Sequence, residues 1–297
     1  MVYLVLAIAC SSVLSIIMRV SKSKVRGNVS MLAINYLMCL ILAGFFMGSS
    51  TFSGDAGILA AGISGGFGSI FPSVEGIGMT ALLGAFNGIL YLSGFLLLQF
   101  NIRKNGVVLS TTFMKLGLLV PIVLSVLWFK EMPKLSQWIG FGLALIAIII
   151  INYEKENTVV EFKAGLLILL LVGGITDAMA KIYDTYGKAD LSEQFLFYTF
   201  TAAVILCFVL AFYKKERPGV MEVMFGLLIG IPNYFSARFL LKAVENLPAV
   251  IAYPTYSVAT IIVVTLAGCC IFKEKLGRKQ WLGMAVILVA LVLLNYK

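Results

Sequence analysis

The sequence alternates long apolar runs with short polar connections. A helix that crosses a bilayer needs about 20 mainly apolar residues, and ten runs approach or exceed that length. They cover residues 2–18, 30–48, 77–100, 106–128, 136–152, 164–181, 193–213, 222–241, 248–271 and 279–295. The pattern predicts an all-α integral membrane protein with ten transmembrane helices. The Gly- and Ser-rich stretch from Ser49 to Gly76 fits either an interfacial or re-entrant segment or an external loop.

The segment from Trp128 to Tyr153 occurs twice. The string Phe129-Lys130-Glu131 returns as Phe272-Lys273-Glu274, 143 residues later and without a gap, and the matching residues extend upstream. The repeat predicts two five-helix halves, residues 1–154 and 162–297. Because five is an odd number, the second half must be inverted in the membrane relative to the first. Inverted repeats are typical of secondary transporters, which bind their substrate near the middle of the bilayer.

The composition supports a membrane protein and limits its chemistry. Hydrophobic residues make up 61% of the 297-residue chain and charged residues 12%, and the mean hydropathy is +1.01. The chain has no His, its 5 Cys lie in apolar runs, and it has no Walker motif or clustered Asp/Glu pair. We therefore expect neither metal nor cofactor, and no enzyme or ATP-driven pump. A multi-pass protein of the cell (plasma or inner) membrane is predicted.

Lysine and arginine are concentrated in the odd-numbered connections between the predicted spans. Because positive loops stay in the cytoplasm, this distribution predicts that both termini lie outside. The net charge of +9 is then mainly a topological signal. Nucleic-acid binding is not expected, since no connection interleaves aromatic residues with a basic face.

The repeated turns carry a family resemblance. Lys130-Glu131 with Gln137 and Gly140, and their copies Lys273-Glu274 with Gln280 and Gly283, resemble the EamA-like branch of the drug/metabolite transporter (DMT) superfamily, as does Pro121 in the fourth span. The resemblance implies ten helices in two inverted halves, carriage of a small molecule across the bilayer, and cytoplasmic termini. It leaves the substrate open. It is compatible with a monomer or a homodimer.

Lys115 lies about nine residues into span 106–128, and Thr111 precedes it by one turn on the same helical face. A charge at this depth is costly, so we interpret Lys115 as a cation that binds a substrate carboxylate or phosphate. Desolvation could also make it release a proton. The alternative is a lysine that fixes helix packing by bonding to backbone carbonyls or to Asp177.

Asp177 is the carboxylate that lies well inside a predicted span, and Lys181 follows it at i+4. One interpretation is a coupling-ion site formed by these two residues. The other is an intrahelical ion pair that only stabilises the helix.

Further polar and aromatic side chains fall on the third, eighth and ninth spans, and they either line a substrate site or bond to neighbouring helices. They are Asn87, Tyr91, Asn233, Tyr234, Arg238, Tyr253 and Tyr256. Arg238 lies nearer the end of its span than Lys115, so its side chain could also snorkel to the membrane surface.

The leading hypothesis is a secondary active transporter of a small polar metabolite, with an anionic group, that works by alternating access around a central cavity. The alternative is a proton-coupled exporter of hydrophobic or amine-bearing cations, anchored on Asp177. The two hypotheses differ in whether binding depends on Lys115 or on Asp177.

Overall fold

The computed structural model describes residues 1–21, 24–25, 27–47, 77–105, 107–128, 130–152, 163–187, 189–273 and 278–296. This described part is helical, with one 3-10 turn at Ala189–Leu191 and no strand. The α-helices are α1 Val2–Ser21, α2 Asn28–Met47, α3 Ile77–Asn105, α4 Val107–Leu116, α5 Leu119–Leu127, α6 Leu135–Asn152, α7 Lys163–Tyr186, α8 Ser192–Tyr213, α9 Val220–Val244, α10 Ala249–Phe272 and α11 Arg278–Asn295. The stretch from Ser49 to Gly76 lies outside the described residues.

The predicted spans are present as apolar helices. Seven described helices are long and apolar enough to cross a membrane, namely α1, α2, α3, α7, α8, α9 and α10. Shorter apolar helical segments occupy the other three predicted spans, at Phe113–Leu127, Leu135–Ile150 and Trp281–Asn295. The prediction of an all-α membrane protein is confirmed.

The predicted span 106–128 is not one continuous helix. Helix α4 ends at Leu116 and α5 begins at Leu119. In the intervening turn the Gly117 amide donates to the Met114 carbonyl at 3.2 Å, a bond that spans three residues. A Cβ on Gly117 would lie only 3.0 Å from the backbone nitrogen of Gly174 in α7. The break therefore falls where two backbones approach each other, which only glycine permits.

The two copies of the repeated turn share an unusual backbone geometry. Lys130 and Lys273 have φ angles of 53° and 54°, in the left-handed region that non-glycine residues seldom adopt. In the first copy, the Glu131 carboxylate also caps helix α10. It accepts a hydrogen bond from the Val250 amide at 3.3 Å, at the start of that helix. A carboxylate there satisfies an unpaired amide and complements the helix dipole. Glu274, its counterpart, lies outside the described residues.

The chain forms two compact units, and each draws on both sequence halves. The first unit comprises Met1–Ile16, Ser93–Ala178 and Lys242–Lys297, and the second comprises Ile17–Leu92 and Met179–Leu241. The most extensive helix contact in the first unit joins α6 to α11, and in the second it joins α2 to α8. Both contacts pair repeat-related helices, the last and the second of each half. The repeat boundaries themselves, 1–154 and 162–297, remain a prediction.

The glycine approach in the first unit predicts a stability effect. A Cβ at Gly174 would overlap the Gly117 carbonyl oxygen and lie 2.6 Å from the Val120 Cβ. Overpacking of a tight contact costs about 1–3 kcal/mol, so we expect Gly174→Ala to lower the thermal unfolding temperature of the detergent-purified protein.

The matched control is Gly142→Ala in α6, where an added Cβ would have no atom within 4 Å. This variant should keep or slightly raise the unfolding temperature, because alanine favours the helix. Equal unfolding temperatures for the two variants would contradict the close approach.

Candidate functional site

Lys115 lies in the last turn of α4, just before the helix break, and its side chain is exposed. Exposure this deep in a span means contact with either lipid or water, and a charged ammonium in hydrocarbon is costly. The ammonium forms no hydrogen bond or ion pair with any residue in the described part of the chain. The cost of a charge in hydrocarbon favours a water-filled cavity over lipid as the surroundings of Lys115.

Asp177 is exposed on α7 and lies close to the same point. Asp177 lies three residues after Gly174. Gly174 is in backbone contact with Gly117, which lies two residues after Lys115. The charges of Lys115 and Asp177 interact electrostatically, yet they form no ion pair with each other or with any other described residue. The crossing of α7 with the α4–α5 segment thus brings an ammonium and a carboxylate near enough to interact electrostatically.

Thr111 lies one turn before Lys115 on α4 and is half-buried. The structure therefore places Thr111, Lys115 and Asp177 in one unit, near the break. The ammonium can donate three hydrogen bonds to a carboxylate or phosphate, and the threonine hydroxyl can donate or accept one.

The alternative interpretation of Asp177 and Lys181, an intrahelical ion pair, is wrong, and their role as a coupling-ion site stays a prediction. The Lys181 ammonium instead pairs with the Asp184 carboxylate at 2.9 Å, one turn further along α7. Residues three and four apart share a helical face, so both carboxylates were within reach of Lys181 and the nearer partner along the chain is Asp184. Asp177 is left available at the break.

Arg238 does not snorkel freely to the membrane surface. It forms an ion pair with Glu193 at 2.7 Å, and the Tyr234 hydroxyl donates to the other oxygen of the same carboxylate at 3.0 Å. The sequence analysis missed Glu193, because a carboxylate in the first turn of a helix is ordinarily explained by the helix dipole. The signal that could have identified it is the need of Arg238 for a partner.

Asn87 and Asn233 bond to neighbouring helices of the second unit. The Asn87 amide donates to the Thr199 hydroxyl at 3.4 Å, and the Asn233 amide donates to the Asn35 side-chain oxygen at 3.2 Å. The Asn87 side-chain oxygen is buried without a partner among the described residues. These contacts match the packing interpretation, and a substrate contact for either residue stays a prediction.

The remaining predicted substrate-binding residues are Tyr91, Tyr253 and Tyr256. Tyr91 packs edge-on against Tyr36 in the second unit, with ring centroids 5.9 Å apart. In the first unit Tyr253 is buried and Tyr256 half-buried, and between them Thr255 accepts a hydrogen bond from Asn295 at 3.2 Å, which joins α10 to α11. Their role in substrate binding also stays a prediction.

The repeat counterpart of Lys115 has a contrasting environment. Val258 is fully buried in an apolar cluster with Ala144, Ala147, Ile287 and Ala290. The two repeat-related positions therefore differ. Val258 is packed among apolar side chains, whereas Lys115 is exposed, so the internal symmetry does not extend to this position.

Comparison with known proteins gives matches of three kinds. The model of the EamA-like transporter family matches residues 164–296. An uncharacterized protein of Haemophilus influenzae is 25% identical over 299 residues, covering 99% of this chain and 97% of that protein. The probable 4-amino-4-deoxy-L-arabinose-phosphoundecaprenol flippase subunit ArnE of Proteus mirabilis is 43% identical over 88 residues, covering 29% of this chain and 77% of that protein. One crystal structure has a TM-score of 0.68 at 10% identity over 99% of this chain and 95% of that chain, a likeness of fold alone.

The exposure of Lys115 predicts selective chemical labelling. In a background without cysteine, Lys115→Cys should react rapidly with a membrane-impermeant methanethiosulfonate, because the position faces water. Val258→Cys, its buried repeat counterpart, should react far more slowly. Labelling is measured by mass spectrometry of the purified protein after reaction in intact vesicles. An unreactive Lys115→Cys would place this position against lipid or packed protein.

Proposed function

We propose that this chain, which belongs to the EamA-like branch of the drug/metabolite transporter superfamily, is a secondary active transporter of a small polar metabolite with an anionic group. Membership of the family makes it a multi-pass transporter of the cell membrane. The anionic substrate, the alternating-access mechanism, the absence of enzymatic activity and a monomeric or homodimeric state belong to the proposal.

The observation that carries the proposal is Lys115, an exposed cation without an ion pair at a break in a membrane helix. A carrier for an anion needs a positive group that a solute can reach. Lys115 is exposed and forms no ion pair among the described residues, whereas Arg238 is already paired with Glu193 and would have to exchange that carboxylate for the substrate. The ammonium would bind a carboxylate or a phosphate through charge-assisted hydrogen bonds.

A second candidate function is proton-coupled export of an amine-bearing cation anchored on Asp177. The observation in its favour is that Asp177 is exposed and has no ion-pair partner among the described residues. The substrate named for the relative ArnE contains both an amino group and a phosphate, so that name is compatible with either charge.

Transport by Lys115 variants tests the proposal. In reconstituted vesicles screened with labelled carboxylates, phosphates and amines, we expect Lys115→Ala to reduce uptake of the accepted anion about tenfold or more, because a lost hydrogen bond to a charged group costs about 1.5–3 kcal/mol. Lys115→Arg keeps the charge and should retain part of the activity. Lys134→Ala, which removes an exposed lysine outside the spans, should transport normally.

Two outcomes would contradict the assignment. Unchanged rate and affinity in Lys115→Ala would exclude Lys115 from the site. Uptake of amines that is abolished by Asp177→Asn and indifferent to Lys115→Ala would favour the second candidate.

A further inference from the structure

Glu193 and Arg238 form a charged pair in the second unit. Glu193 lies in the first turn of α8, and Arg238 lies two turns from the end of α9. One carboxylate oxygen, Oε1, accepts a hydrogen bond from the Arg238 Nε at 2.7 Å and lies 2.7 Å from Nη2. The side chains of Arg238 and Glu193 retain 16% and 21% exposure, so the pair is not fully enclosed by protein.

Two aromatic residues hold the guanidinium in place. The Arg238 Cζ lies 4.1 Å from the centroid of the Phe46 ring, and that ring stacks on the buried Tyr234 with an interplanar angle of 14°. The Tyr234 hydroxyl donates to Oε2 of Glu193 at 3.0 Å. Arginine and tyrosine thus bind both oxygens of one carboxylate, which is the geometry of a site for an oxyanion.

Part of the hydrogen-bonding capacity of Arg238 is unused. A guanidinium has five N–H donors, and those directed away from Glu193 meet no acceptor among the residues that the structure describes. A second oxyanion could use those donors, but it would be repelled by the carboxylate that is already bound. Glu193 therefore opposes any anion that approaches Arg238.

We propose that Arg238 and Tyr234 form an oxyanion-binding site and that the Glu193 carboxylate fills it as an internal competitor, which a carboxylate or phosphate of the substrate replaces. This inference rests on the proposed function only in taking the substrate to be an anion. In the empty carrier Glu193 neutralises an arginine that would be costly unpaired in a membrane helix. After replacement the Glu193 carboxylate remains in the first turn of α8, where water and the positive end of the helix dipole stabilise it.

The test is equilibrium binding to the detergent-purified full-length protein, measured by calorimetry. The soluble probes are inorganic phosphate and acetate, and a lipid probe is phosphatidate in mixed micelles. We expect Glu193→Gln to bind at least one probe about tenfold more tightly than the parent protein, because the competing charge is gone. Tightening with the soluble probes identifies a free metabolite as the source of the oxyanion, and tightening with phosphatidate alone identifies a lipid phosphate.

Matched variants separate this effect from a general change in charge. Asp184→Asn neutralises another paired carboxylate of the second unit and should leave binding unchanged. In Glu193→Gln/Arg238→Gln the tightening should disappear. In Glu193→Gln/Lys115→Ala it should persist, since the donors of Arg238 and Tyr234 are unchanged. Glu193→Asp, which withdraws the carboxylate without removing its charge, should give an intermediate affinity and serves if the glutamine variant does not fold.

Several results would overturn the inference. Equal or weaker binding by Glu193→Gln would make Glu193 a positioning group for Arg238, and tightening that survives loss of Arg238 would place the anion elsewhere. Transport that is unaffected by Lys115→Ala would refute the proposed function and leave these binding results intact, so the two failures are distinguishable.

Discussion

A charged side chain inside a bilayer must meet an opposite charge, a backbone dipole or water. In the described part of the chain, Arg238 pairs with Glu193 and Lys181 pairs with Asp184. Lys115 and Asp177 have no such partners, and both are exposed. The contrast singles out Lys115 and Asp177 as the charges on which the proposed function depends.

Close backbone approach is what positions these charges. Gly117 and Gly174 bring α7 against the break between α4 and α5. The polar backbone groups of a broken helix must be covered by protein or water, and packing against α7 provides part of that cover. Lys115 lies two residues before Gly117, and Asp177 lies three residues after Gly174, so this contact brings together the two segments that carry the charges.

The sequence predicted the helices, the repeat and the family, because apolar run length and recurring strings are local signals. The break at Gly117 was not predicted, although Pro121 lies four residues later and has no N–H to donate to the Gly117 carbonyl. The sequence pattern ended the third span at residue 100, whereas α3 continues to Asn105 because Asn101 donates to the Gly165 carbonyl at 3.0 Å and Asn105 donates to Asn101 at 3.2 Å. The sequence also did not show which charged residues form ion pairs, since Glu193 and Arg238 lie 45 positions apart.

The central claim is that the carrier recognises an anion through Lys115. The most direct measurement is a thermal-shift screen of the purified protein against anionic, neutral and cationic metabolites, repeated on Lys115→Ala. The account predicts that one class of carboxylates or phosphates raises the unfolding temperature of the parent protein and has no such effect on the variant. Stabilisation by the same anions in both proteins, or by cations alone, would contradict it.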